Sequence, residues 1–365
     1  MNNGVSKSKG QYKTGDLIYR ATSLGTPGPG WLNLSTTQTI YTQSALGKVL
    51  PTYDLTPNFS LWNTQTSNFG TSDIWAVAYG NGTWVASGWG STLRTSTDNG
   101  VTWNTQTCNV YGDIIMSVAY GNGTWVAVSN GGYIRTSTDT INWNGANNLG
   151  QSIYSVAYGN GVWVAGALEE IHTSTDNGVT WNIQTSNFSG GYYIYSVAYG
   201  NGIWAAGGVG GTLRTSTDTI NWNTVNPNVG TSDIQSVAYG NGTWVIGGYL
   251  GILQTSIDTI NWTSQTSNFG TSSIYSVAYG NGVWVAVGDG ATLRTSTNNG
   301  VTWNTQTSNF GNSIINTVGY GNGTWVAGGV GGALRTLNPI YPNSAVRTLT
   351  PISSIPTGYT PWIKT

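Results

Sequence analysis

Tyr-Gly-Asn-Gly occurs seven times in this chain, with its tyrosine at 79, 120, 158, 199, 239, 279 and 320. The spacings are 41, 38, 41, 40, 40 and 41 residues. A period of that length is too short for a domain, so each unit must be one supersecondary motif that buries its apolar face by stacking on its neighbours. Each unit reads as an alternating run such as Ile-Tyr-Ser-Val-Ala-Tyr, then Gly-Asn-Gly, then a run such as Thr-Trp-Val-Ala-Val. A glycine-rich turn follows, then Leu-Arg-Thr-Ser-Thr, a second turn and Thr-Trp-Asn-Thr-Gln-Thr. β-Branched and aromatic residues between turn formers predict four short strands per unit. Asn-Gly accepts the positive φ of a tight hairpin, which makes the first two strands antiparallel neighbours.

Repeated four-stranded units of about 40 residues predict an all-β chain folded as a β-propeller, which leaves only short edges exposed. A second repeated tryptophan, at 62, 103, 143, 181, 222, 262 and 303, marks the outer strand. The first of these precedes any inner strand, and the last unit, ending Leu334-Arg335-Thr336, has no outer strand of its own. Leu61 to Ser67 is therefore expected to complete the blade whose other strands come from residues 314 to 336. The expected organisation is a seven-bladed propeller of four-stranded antiparallel blades over 61–337, closed by an N-terminal strand. An attachment arm over 1–60 and a tail over 338–365, packing near the arm, flank it.

The turn between the third and fourth strands carries a family resemblance. Ser96-Thr97-Asp98-Asn99-Gly100-Val101-Thr102-Trp103 and Ser174 to Trp181 resemble the Asp-box, or BNR, motif Ser-x-Asp-x-Gly-x-Thr-Trp of sialidases, sortilin-like receptors, photosystem assembly factors and phage and bacterial propellers. Ser296 to Trp303 keeps the spacing with Asn298 for aspartate. The units ending at Trp143, Trp222 and Trp262 are one residue shorter and lack the glycine. The resemblance implies a fold and leaves function open, because one fold hosts many activities. Asp98, Asp139, Asp176, Asp218 and Asp258 open turns, which suits carboxylates that accept backbone N–H bonds; a structural role is expected of all five.

Composition narrows the function classes. The charged residues are 12 basic and 13 acidic in 365, which excludes a basic groove for nucleic acid. No run of 18 apolar residues occurs, so no membrane insertion is expected. The start, MNNGVSKSKGQYKTGD, has no apolar signal region, so synthesis in a host cytoplasm is expected. Cys108 is the single cysteine, so stability rests on packing. An arginine recurs on the third strand (Arg94, Arg135, Arg214, Arg294, Arg335), with His172 and Gln254 in the remaining two units. As a ring of cations it would grip an anion. As a repeated residue serving every blade, it would pack on the outer-strand tryptophan and bond local carbonyls; the second role is expected. Sialidase chemistry needs a tyrosine nucleophile with a glutamate partner, and the only glutamates are Glu169 and Glu170, in a turn beside the only histidine, His172. No catalytic residue, metal or cofactor is expected.

Antiparallel strands place the two near-identical turns on one face and the remaining connections on the other. That variable face carries Trp89, Tyr111, Tyr133, Glu169, Glu170, Tyr192, Tyr193 and Tyr249. Just inside it, the second inner-strand position reads Trp75, Met116, Tyr154, Tyr195, Gln235, Tyr275 and Asn316. Aromatic rings with polar tips suit sugars or peptides. The candidate ligand-binding residues are therefore Trp75, Trp89, Tyr154, Glu169, Glu170, Tyr195, Tyr249 and Tyr275. Thr14 to Tyr19, Trp31-Leu32, Gly47 to Leu50 and the terminal Tyr359 to Lys364 resemble segments of phage fibre proteins. That resemblance implies a non-enzymatic virion protein, a tail or fibre component that binds other virion proteins through its flanks and a host-surface glycan or protein through its propeller. The alternatives are a bacterial lectin-like or assembly-factor propeller, and an Asp-box glycosidase.

Overall fold

A computed structural model describes residues 59, 61–145 and 147–337, together with the backbone of Leu17–Ala21, Trp31–Asn33 and Tyr359–Lys364. The chain divides into two compact units, Pro57–Pro339 and a second drawn from Met1–Thr56 and Ile340–Thr365. In the second unit Tyr359–Lys364 pairs antiparallel with Leu17–Ala21 on one side and Trp31–Asn33 on the other, so both ends of the chain share a sheet. The lysines at 7, 9 and 13, the glycine-proline stretch at 25–30, Gly47 to Leu50 and the prolines beyond 338 lie outside the described residues.

Pro57–Pro339 is a seven-bladed propeller of antiparallel blades. The first blade contains Ile74–Gly80, Thr83–Gly88, Thr92–Ser96 and Asn104–Thr107, from axis to rim. The seventh contains Ile315–Gly321, Thr324–Gly329 and Leu334–Leu337, and its outer strand is Asn63–Gln65, paired Leu334 to Gln65, Arg335 to Thr64 and Thr336 to Asn63. Two ends of the repeat array thus meet in one sheet, as counting the tryptophans requires. In the second blade the outer strand is reduced to bridges, Thr136 to Asn144 and Tyr133 to Asn148. There the Thr-Gln-Thr of the sister units is replaced by a segment with Gly145 at φ 104°, which breaks the ladder.

Packing between blades explains why the same residues recur. Each second-strand tryptophan is buried and lies 4.9 to 5.3 Å from the tyrosine of its own Tyr-Gly-Asn-Gly. That tyrosine in turn covers the glycine after the tyrosine of the preceding blade: Tyr120 on Gly80, Tyr239 on Gly200 and, across the closure, Tyr79 on Gly321. No Cβ fits between them, so glycine is required there by close approach; its φ is ordinary. The inner-strand isoleucines, Ile74 through Ile315, are fully buried in all seven blades.

Candidate functional site

The near-identical face is built from internally satisfied turns. Asp98 Oδ1 accepts from Ser96 Oγ (2.7 Å) and the N–H groups of Val101 (3.2 Å) and Thr102 (2.9 Å), while Thr102 Oγ1 donates to Oδ2 (2.6 Å). Asp176 repeats the pattern. In the shorter turns Asp139, Asp218 and Asp258 accept from the next two N–H groups but one, and an asparagine amide replaces the threonine hydroxyl. At Asn298 the amide oxygen accepts from Thr302 N at 3.0 Å, so no charge is needed. These donors hold all five carboxyls well below the ordinary range, Asp176 at about 2; Asp98 also reaches about 2, its burial pulling upward against the turn bonds that win. The three longer turns also reach sideways: Asn322 donates to Asn99, Asn122 to Asn177 and Asn241 to Asn299, each from the preceding blade.

The arginine ring is internal as well, with one correction to the expected partner. The five guanidiniums lie 4.6 to 5.1 Å over the rings of Phe69, Tyr133, Phe188, Phe269 and Phe310, in or beside the loops of the variable face, and not over the outer-strand tryptophans. Each donates to the carbonyl of a loop asparagine, Asn68, Asn109, Asn187, Asn268 or Asn309. The loop approaches the third strand, while the indoles of Trp103, Trp143, Trp181, Trp222, Trp262 and Trp303 turn back to their own turn carbonyls, as Trp103 Nε1 does to Gly100 O at 2.8 Å.

On the variable face the inner strands share a device that the alternating pattern did not predict. In every blade the pairing slips between the first and third residues of the inner strand, as between Ile153 and Ser155. The residue left unpaired by each bulge is Trp75, Met116, Tyr154, Tyr195, Gln235, Tyr275 or Asn316, and bulges re-aim side chains in this way. Tyr154 and Tyr195, from adjacent blades, meet edge-on at 5.6 Å, and Tyr193 joins both at 4.9 and 6.1 Å. Tyr249 stands perpendicular to Tyr275 at 6.5 Å. Asp233 and Asp289 complete this belt over the third to sixth blades. Burial, then the Asp233 carboxylate, pushes the Tyr195 phenol up; burial, then a hydrogen bond to Asp289, pushes Tyr275 up to about 12. The Tyr154, Tyr195, Tyr249 and Tyr275 phenols, all pushed upward, are neutral at pH 7.

The belt thus brings together Tyr154, Tyr195, Tyr249 and Tyr275 of the expected residues. Trp75 and Trp89 belong to the first blade, and no ring contact joins them to the belt among the described residues. Trp89, with Thr71, Ser72 and Asp73, lines a separate shallow recess of about 300 Å³. Glu169 and Glu170 diverge, as adjacent residues should. Glu169, at φ 60°, accepts from Gly191 N, while Glu170 lies 3.0 Å from His172 Nε2 and accepts from Gln151. Burial pulls the His172 pKa down against the pull of Glu170. Among the described residues no three His, Cys, Asp or Glu side chains converge as a metal site would require. Sequence reasoning missed Asp233, Asp289 and Gln151. For Asp233 a signal was available, since Asp73, Ser152, Tyr193, Asp233 and Ser273 occupy one varied position before the inner isoleucine.

No protein-family model and no curated protein matches this chain. Solved structures share its fold. YCF48 from Cyanidioschyzon merolae is 16% identical with a TM-score of 0.62, over 76% of this chain and 98% of that one. YCF48 bound to D1 peptide is 17% identical with a TM-score of 0.63, over 79% and 99%. A catalytically inactive virginiamycin B lyase from Staphylococcus aureus with quinupristin is 11% identical with a TM-score of 0.67, over 76% and 98%. At these identities the likeness is one of fold. The chain is a seven-bladed propeller whose Asp-box resemblance belongs to its turns, with no family match behind it.

Proposed function

We propose that the chain is a non-enzymatic interaction module of the assembly-factor kind, which docks a polypeptide on its variable face. The observation that carries this reading is the division of labour between repeated and varied residues. The repeated tyrosines, glycines, tryptophans, aspartates and arginines are engaged in blade packing and turn bonding, whereas the bulged positions differ from blade to blade and lie beside the varied loops. A propeller of the same shape is bound to a peptide in the YCF48 structure, which supports a polypeptide as the ligand. This favours the assembly-factor alternative over the virion reading, since none of the similar structures named above is a virion protein. The particle-bound setting remains a second proposal, favoured by the pairing of both chain ends in one sheet, a form suited to a single anchor on other virion proteins.

The test compares two double variants of the full chain by affinity purification from the producing cell. Trp89→Ala with Tyr249→Ala alters the variable face, and Val179→Ser with Ile220→Ser alters the opposite face at exposed positions. The expected result is loss of the co-purifying polypeptide with the first and retention with the second. The reverse would overturn the assignment.

A further inference from the structure

Between residues 61 and 337 the chain has no lysine, and its basic side chains are Arg94, Arg135, Arg214, Arg294 and Arg335. All five are stacked on rings and bonded to loop carbonyls, as described above. The variable connections carry Asp73, Asp113, Glu169, Glu170, Asp233 and Asp289. Two of these carboxylates, Asp233 and Asp289, stand in the tyrosine belt. Asp233 Oδ1 accepts from Gly210 N at 2.8 Å and Asp289 Oδ2 from Ser273 N at 2.9 Å, so each is held in place by a neutral donor, and no cation among the described residues pairs with its charge. Tyr249 N donates to the Asp233 carbonyl at 3.1 Å and its ring meets Tyr275 at 6.5 Å, which sets these residues side by side; the upward pull of Asp233 on Tyr195 and Tyr249, and of Asp289 on Tyr249 and Tyr275, agrees with that placement. In the same belt Gln235 Nε2, on the bulge between the Tyr195 and Tyr275 blades, is buried without a hydrogen-bond partner.

Resting on the polypeptide-docking reading, we infer that the belt of Tyr154, Tyr193, Tyr195, Tyr249, Asp233 and Asp289 receives a cationic side chain, a guanidinium or an ammonium, from the docked partner. Tyrosine faces attract cations through the ring quadrupole, and a carboxylate beside the rings supplies the counter-charge. Both terms have the same sign here, and among the described residues no cation competes for them. Gln235 Nε2 then has a use as a donor to a carbonyl of the chain that bears the cation. An anionic segment would meet only repulsion, and a neutral sugar would leave the carboxylate charge unused.

The experiment titrates the full chain with tetra-arginine, tetra-lysine, tetra-glutamate and maltotetraose at pH 7, read by calorimetry. Asp233→Asn with Asp289→Asn is the informative variant, because the amide oxygen still accepts from Gly210 and Ser273 and only the charge is lost. Tetra-arginine or tetra-lysine is expected to bind, at least tenfold more weakly to this variant and to Tyr195→Ala, and to weaken as salt rises. Binding of the cationic peptides that is unchanged in the carboxamide variant, or preference for tetra-glutamate or maltotetraose, would overturn the inference. If the co-purifying polypeptide is lost with Trp89→Ala/Tyr249→Ala but kept with the carboxamide variant, the docking face stands and the cation is refuted.

Discussion

Replacing Gly200 by alanine tests the reason for the repeated Tyr-Gly pair. Gly200 has an ordinary φ, so alanine meets no backbone penalty there. A Cβ at this position would lie 2.1 Å from Cγ of Tyr239 in the next blade, where van der Waals contact needs about 3.4 Å. Ring and strand must therefore part by more than about 1 Å. The ring cannot simply swing away, because Tyr239 packs on Trp244 at 5.0 Å inside a buried cluster with Leu213 and Val237. Overpacking of this kind costs about 1 to 3 kcal/mol, a fall in melting temperature of roughly 5 °C. Gly202 is the control: its φ is +81° with nothing within 4 Å of a Cβ, so alanine there meets only the left-handed penalty of about 1 to 2 kcal/mol. Size separates the two causes. At 200 the loss should grow from alanine to serine, whereas at 202 the larger asparagine should be tolerated better than alanine, since it accepts the left-handed region. Thermal unfolding followed by tryptophan fluorescence reads both series. A Gly200→Ala protein that melts with the wild type, or the same rank order at both positions, would refute the close-approach argument.

Three further outcomes follow from the closure and the turns. Deleting Leu61 to Ser67 removes Asn63–Gln65 from the seventh blade and bares the edge of Leu334–Leu337, so aggregation or loss of cooperative unfolding is expected; a deletion variant with wild-type melting would exclude the closure. Asp98→Asn should melt close to the wild type, as Asn298 already shows the amide in this role, while Asp98→Ala should lose about 1 kcal/mol, the low end for donors that water can reach; equal melting of the two would argue against the capping role. The turn carboxylates have folded pKa values below the unfolded value of about 3.9, so the unfolded chain binds more protons between those limits. Stability is then complete above about pH 4 and falls as pH drops towards 2, and a melting temperature flat from pH 5 to 2 would count against the turn bonds.

Blade number and closure were legible because they are matters of counting: seven tyrosines, seven outer tryptophans, and one tryptophan standing before its blade. The turn role of the aspartates was legible because Asn298 restricts what the position does. The belt was not, for a reason visible in hindsight in the strands themselves. Ile153 and Val156 are three apart on one strand and both buried, which strict alternation forbids and a bulge permits. That spacing recurs in every unit, yet the direction in which a bulge turns its free side chain depends on the neighbouring loop. Tyr195 therefore could be named as a candidate, but not its meeting with Asp233. The arginine partner was misread for the same reason, since Phe69 is distant from Arg94 in the strand pattern and is brought over it only by the course of the loop.

Departures from the repeat also point to where the scaffold has been altered for use. The residue after the loop asparagine is Phe69, Phe188, Phe269 or Phe310 in four blades, and each of these has an arginine beneath it. In the third and fifth blades it is Leu149 or Val229, and there the arginine is His172 or Gln254: without a ring to lie on, the guanidinium is gone. The second blade has Val110 but supplies Tyr133 from the adjoining turn, and Arg135 is retained over it at 5.0 Å. Ring and cation thus change together within one molecule, as expected of a stacked pair. The two blades that have lost the pair are those that contribute Tyr154 and Asp233 to the belt, and the third has filled the vacated place with His172, Glu170 and Gln151. Loss of a fixed cation from these blades leaves the local charge more negative, the direction in which a site for an incoming cation must be altered.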